Sequence, residues 1–116
     1  MKTEINELQL SLRQFAEARD WGQFHSPKNL AISLSLEAAE VLEHFQWITE
    51  EQSRQLDVDK RQAVANEIAD VLLYLLQLSD KLGIDPLQAA KDKLGINAAK
   101  YPVDKAKGNS RKYTEF

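Results

Sequence analysis

The stretch Gln62-Ala63-Val64-Ala65-Asn66-Glu67-Ile68-Ala69-Asp70-Val71-Leu72-Leu73-Tyr74-Leu75-Leu76-Gln77 decides how this chain folds. Val64, Ile68, Val71, Leu75 and Leu82 recur every three or four positions, which is the period of an α-helix and not the alternation of a strand. Ala69, Leu72, Leu73 and Leu76 carry apolar surface round to the far side. A helix apolar over more than half its circumference cannot be covered by one neighbouring layer. A second covering surface is expected, most economically another copy of the chain. Beside the main stripe, Glu67, Asp70 and Tyr74 form a narrow polar strip.

An equivalent acidic pair, Glu37 and Glu40, interrupts an earlier apolar segment, with 26 residues between Glu40 and Glu67. Residues three apart on a helix sit about 60° apart, so each pair projects from one face. Like charges at this spacing destabilise a helix by about 0.2–0.5 kcal/mol unless a Lys or Arg four residues on offsets them. Four residues beyond Glu37, Glu40, Glu67 and Asp70 stand Val41, His44, Val71 and Tyr74. The first pair is also flanked on both sides by apolar residues: Leu30, Leu34, Val41 and Phe45 on one flank, and Ile32, Leu36 and Ala39 on the other. Packing the two segments together brings four carboxylates near a core, which is costly without a neutralising cation.

Start and stop signals divide the remainder into helices. Thr3 caps a first helix through Ile5, Leu8, Leu12 and Phe15 to about Arg19. The connection Asp20-Trp21-Gly22-Gln23-Phe24-His25 holds two aromatics and a histidine where polar residues are usual; they plug the end of a bundle or touch a ligand. Ser26-Pro27 starts a second helix, expected to reach Trp47. On that helix Trp47 shares the face of Glu40, about 10 Å along the axis, where it either closes the core or stacks a ring. His44 also lies on this face and reads as a partly exposed residue more than a metal ligand.

Thr49 and Gln52 form a capping box for a short helix over Glu50 to Gln55. Asp57-Val58-Asp59 turns into the central helix, from about Lys60 to Leu82. Gly83 closes it, and Asp85-Pro86 starts another helix that runs to about Lys100. The fold expected is all-α, an antiparallel bundle of four main helices assembled as a homo-oligomer. Residues 1–102 form its domain, and the basic segment 103–116 belongs to it or stays flexible.

Composition narrows the function. A chain of 116 residues is one domain by length, able to bury about two-thirds of its unfolded surface. A net charge of −3 gives no overall basic footprint for a nucleic-acid polymer. The absence of cysteine removes disulfides, thiolate metal sites and a cysteine nucleophile. No signal peptide is recognisable at Met1-Lys2-Thr3-Glu4-Ile5, and no apolar run approaches the length of a membrane span, so a cytoplasmic protein is expected.

An oxygen-only donor set suits a hard ion, Mg²⁺ or Mn²⁺. A di-iron bundle needs Glu-x-x-His pairs, and neither His25 nor His44 has a Glu three residues before it. Mg²⁺ typically bridges carboxylates to substrate phosphates, which points to a phosphate ester or anhydride. Gly-x-x-x-x-Gly-Lys is absent, so this is not a P-loop site. A metal-free helical module that binds a nucleotide or a protein without hydrolysis accounts for the apolar helices but leaves the acid pairs unexplained.

The paired Glu-x-x-Glu and Glu-x-x-Asp resemble the signature of the MazG-like all-α nucleoside triphosphate pyrophosphohydrolases. Arg19-Asp20-Trp21, Phe24-His25, Pro27, Asn29-Leu30, Phe45-Gln46-Trp47, Asn97, Tyr101-Pro102 and Ser110-Arg111-Lys112-Tyr113 extend the similarity, most of all to the dCTP pyrophosphatase branch. The resemblance implies Mg²⁺-dependent hydrolysis of a (deoxy)nucleoside triphosphate, dCTP or a modified dCTP, to the monophosphate and pyrophosphate. Members acting on dUTP or phosphoribosyl-ATP are the near alternatives. It implies that Glu37, Glu40, Glu67 and Asp70 bind the metal and carry catalysis. Trp21, His25, Trp47 and Tyr74 would line the nucleotide pocket, and Asn97, Lys100 and Tyr101 would lie near the phosphates. Leu12 stands where that branch has a base-contacting histidine. Dimers or tetramers are implied, with sites near subunit contacts.

Overall fold

A computed structural model describes residues 3–116. Among these residues there is no strand, and four long helices carry the fold: α1 (Glu4–Ala18), α2 (Pro27–Glu43), α4 (Val58–Leu82) and α5 (Pro86–Lys100). Two single-turn helices, α3 (Glu50–Ser53) and α6 (Val103–Ala106), and 3₁₀ turns at Gly22–Phe24 and Tyr113–Glu115 complete it. The chain divides into two compact units, one ending at Gly83 and the other spanning Ile84–Phe116. Among the described residues no helix is long and apolar enough to cross a membrane.

Helix starts fall where short polar side chains can satisfy the free N–H groups of a first turn. Thr3, Ser26 and Asp57 accept from the backbone N–H of Asn6, Asn29 and Lys60, and Asp85 accepts from Leu87 and Gln88. Thr49 and Gln52 bond reciprocally in the expected capping box. Gly83 ends α4 with φ 66°, a left-handed conformation that costs glycine nothing.

In the first unit α4 is the shared partner, packing on both α2 and α1. Leu30 of α2 and Leu76 of α4 are each only 1% exposed, and Val64 is buried with them. Truncating either leucine to alanine would cost about 2–5 kcal/mol. Gln9 of α1 is also buried, and its Nε2 donates to the Leu76 carbonyl at 3.0 Å. Nearer the surface, Arg13 holds Asp80 at 2.7 and 3.2 Å. Such an exposed, solvent-screened pair contributes little, and the buried Gln9 bond to Leu76 ties α1 to α4 more firmly.

One expectation changes. The second helix stops at Glu43, four residues before Trp47, because Phe45 and Ile48 N–H groups bond to Leu42 and Phe45 in tight turns that deliver Thr49 to its extended cap. The C-terminal segment carries contacts of its own. In the second unit the Tyr101 ring meets Tyr113 edge-on at 6.0 Å and Phe116 at 5.8 Å, and Lys100 Nζ lies 4.7 Å above Tyr113. Contacts between aromatic rings and a cation, without helical periodicity, fold this tail back on the end of α5.

Candidate active site

Packing of α2 on α4 brings the two acidic pairs together. One carboxylate oxygen from each of Glu37, Glu67 and Asp70 lies within 4.8 Å of the others. Glu40, one turn beyond Glu37, stands within hydrogen-bonding reach of both Glu37 and Glu67. Glu37 and Glu67 are half-buried, whereas Glu40 and Asp70 are exposed. The Oε2 atoms of Glu37 and Glu67 are buried without a hydrogen-bond partner. Leaving two carboxylate oxygens unpartnered disfavours their charged forms.

The electrostatics follow from this crowding. A hydrogen bond to Glu40, partial burial, and the charges of Glu40, Asp70 and Glu67 push the Glu37 carboxyl up to about 7. Glu67 is raised as well, by hydrogen bonding to Glu40, burial and the Glu40 charge, with His44 opposing. Crowding of this kind is relieved by whatever neutralises it, a proton or a cation. Oxygen donors from both helices, two of them lacking any other partner, are the donor chemistry that a hard divalent ion takes.

Asp70 also forms part of a second feature. A cleft of about 380 Å³ is lined by Leu8, Ser11, Leu12, Phe15, Trp21, His25, Asp70, Leu73, Tyr74 and Gln77. Trp21, His25 and Tyr74, expected to meet a nucleotide, are thus brought to one hollow with one acid of the cluster. The turn after α1 positions two of them. Asp20 takes φ 54°, and Gln23 Nε2 clamps its backbone and carboxylate oxygens at 3.0 and 3.2 Å. Trp21 then meets Phe15 edge-on at 5.6 Å and His25 at 6.2 Å.

The remaining candidates lie elsewhere. Trp47 sits past the end of α2, 85% exposed and outside the cleft, so the helical spacing that put it over Glu40 does not apply. Asn97 and Lys100 are on α5 and Tyr101 caps it, all in the second unit. Leu8, Ser11, Phe15, Leu73 and Gln77 line the cleft without having been singled out. For the apolar ones no sequence signal separates the two roles, because a stripe facing a cleft has the same spacing as one facing a core.

Known proteins align with this arrangement. The MazG-like family model matches residues 32–116. Human dCTP pyrophosphatase 1 (Homo sapiens) is 40% identical over 104 residues, covering 88% of this chain and 61% of that protein. The mouse protein of the same name (Mus musculus) is 41% identical over 78 residues, 66% of this chain and 46% of its own length. The chain therefore spans about half to three-fifths of these relatives. The crystal structure of a pyrophosphatase from Archaeoglobus fulgidus is similar with a TM-score of 0.82 and 43% identity, covering 88% of this chain and 95% of that one. With a match that begins in α2 and runs across all four acids, the chain belongs to the MazG-like family.

Proposed function

We propose that the chain is a divalent-metal-dependent nucleoside triphosphate pyrophosphohydrolase that splits a (deoxy)nucleoside triphosphate, dCTP or a modified dCTP, into the monophosphate and pyrophosphate. One observation carries this reading: carboxylates from α2 and α4 converge, two of their buried oxygens lacking a partner, at the edge of an aromatic cleft that shares Asp70. The names of the relatives support pyrophosphate chemistry and the cytosine nucleotide.

Glu37, Glu40, Glu67 and Asp70 would hold the ion, Mg²⁺ or Mn²⁺. When bound, it supplies neutralisation of the polyphosphate and of the charge that develops on the leaving group. In this reading a sugar and base lie between Trp21, His25 and Tyr74, and the phosphates extend past Asp70 toward the acids. A carboxylate of the cluster, Glu37 or Glu40, orients a water and takes its proton as the oxygen attacks the α-phosphorus. The bond to the bridging oxygen breaks and pyrophosphate leaves. General-base assistance of this kind contributes about 10²–10⁴-fold, without a covalent intermediate.

The family resemblance assigns Trp47 to the nucleotide and Asn97, Lys100 and Tyr101 to the phosphates, and these roles form part of the proposal. So does assembly into a dimer or tetramer, supported by the apolar side chains that α2 and α4 leave uncovered, Leu36 at 61% and Ile68 at 55% exposed among them.

The test is a nucleotide panel with Mg²⁺, reading pyrophosphate release for wild type and Glu67→Gln. Release that the variant loses by at least about 10²-fold supports the assignment. Full activity in Glu67→Gln removes that residue from the site. Binding without release in wild type would leave a non-hydrolytic nucleotide module.

A further inference from the structure

We propose that Arg19 is the positioning residue of the cleft's aromatic wall: its guanidinium fastens the Phe15 ring, and through that ring Trp21, in the arrangement that receives a base. This role rests on the nucleotide reading of the cleft and adds to it the group that keeps the wall in place.

The grip follows from where Arg19 stands. It caps α1 four residues after Phe15, and long helical side chains lean toward the N-terminus, so its stem runs back over that residue. The Arg19 backbone N–H turns to the Ala16 carbonyl at 3.2 Å, which takes the usual helical donor away from the Phe15 carbonyl. Nη1 of the same residue replaces it, donating to the Phe15 carbonyl at 3.0 Å. The guanidinium carbon then lies 3.6 Å from the centroid of the Phe15 ring. One planar group thus holds both the backbone and the ring of Phe15. A lysine ammonium is a point charge and cannot lie flat on a ring while donating in its own plane to a carbonyl.

Phe15 and Trp21 both line the cleft, whereas Arg19 does not. Both rings are exposed, so core packing does not fix them. Trp21 meets Phe15 edge-on at 5.6 Å and His25 at 6.2 Å, so a Phe15 ring that swings takes its contact with the next wall residues away. Arg19 is not engaged elsewhere either. Among the described residues no carboxylate pairs with it, whereas Arg13 of the same helix is taken by Asp80. A stacking wall that is already ordered spares a ligand the cost of ordering it. Arg19 therefore acts on binding and not on the reacting atoms.

The experiment compares wild type with Arg19→Met, which keeps an unbranched stem without the charge or the donors, and with Arg19→Lys. One readout is kcat and KM with Mg²⁺ for the best nucleotide of the panel. The other is acrylamide quenching of Trp21 fluorescence in the ligand-free protein carrying Trp47→Phe, which leaves Trp21 as the single tryptophan. Arg19→Met should raise KM about three- to fivefold at unchanged kcat and make Trp21 easier to quench. Arg19→Lys should fall short of wild type in both, and the helical signal should stay that of wild type in each variant. KM and quenching unchanged in Arg19→Met, kcat lowered at constant KM, a lost helical signal, or Arg19→Lys equal to wild type overturns the proposal. Quenching that rises in Arg19→Met while wild type releases no pyrophosphate sustains the positioning role and removes the hydrolase reading. Release from wild type with KM and quenching indifferent to Arg19→Met does the reverse.

Discussion

His44 Nε2 lies 3.7 Å from Glu67 Oε1, a single imidazole set against four carboxylates. It lowers the proton affinity of Glu67 without reversing the rise that Glu40 and burial impose. In the metal-free protein the remaining repulsion is relieved by protons, above all on Glu37, pushed up to about 7. A carboxyl raised above its ordinary value stabilises the fold fully below about 4.5, and that contribution is lost as pH climbs through about 7. Melting temperature measured in chelator should therefore fall, on account of this group, from about pH 5 to about pH 8. The stabilising shift given by saturating Mg²⁺ should grow over the same interval, because the ion takes the place of the proton. A Mg²⁺ shift that is flat across this range, or largest at the acid end, would remove the cluster as the ion's site.

Helices α2 and α4 carry apolar side chains that a soluble single chain would not leave in water: Ile32 is 49% exposed, Leu36 61%, Ile68 55% and Leu72 43%. Fully burying an isoleucine or leucine contributes about 1.5–3 kcal/mol; these four are about half exposed, so covering each contributes about half of that and favours association of copies. Light scattering at micromolar concentration should give a dimer or tetramer mass for wild type. Ile68→Lys, which would place an ammonium in that contact, should shift the mass toward one chain while α4 keeps its helical signal. A monomeric wild type would overturn the assembly and leave the exposed patch without an account.

The parts of this structure that are legible in the sequence are those governed by neighbours along the chain. Thr3, Ser26, Thr49, Asp57, Gly83 and Asp85 act within four residues of themselves, and all stand where the helices start or stop. The acidic pairs are legible for a related reason: a carboxylate flanked by apolar residues with no compensating cation conflicts with its own helix. What stays hidden depends on partners distant in sequence. Nothing between Glu43 and Trp47 breaks a helix locally, yet α2 gives way there to the turns that lead into α3. Leu8, Leu12 and Phe15 face a cleft with the periodicity of a core, and only the folded chain shows that the space beside them is open.

Asp20 is the described non-glycine residue at positive φ, and its conformation links the first helix to the cleft. The chain leaves α1 through hydrogen bonds from Arg19 and Trp21 N–H to the Ala16 carbonyl, at 3.2 and 2.9 Å, and Asp20 makes the reversal between them. Aspartate enters the left-handed region at some cost, glycine enters it freely, and a β-branched residue resists it by about 1–2 kcal/mol or more. Asp20→Gly should therefore keep stability within about 1 kcal/mol of wild type, the loss of the Gln23 bond to the carboxylate offsetting the relief of strain while its bond to the backbone oxygen remains. Asp20→Val should lower the melting temperature by about 4–8 °C for each kcal/mol lost. If the turn holds Trp21 and His25 in the cleft wall, the valine variant should also raise KM for the nucleotide more than it lowers kcat, since in the proposed site those side chains would meet the base and not the carboxylates. Equal loss of kcat and kcat/KM at unchanged KM would mean that the turn serves the acid cluster instead, through α2, which starts only two residues after His25.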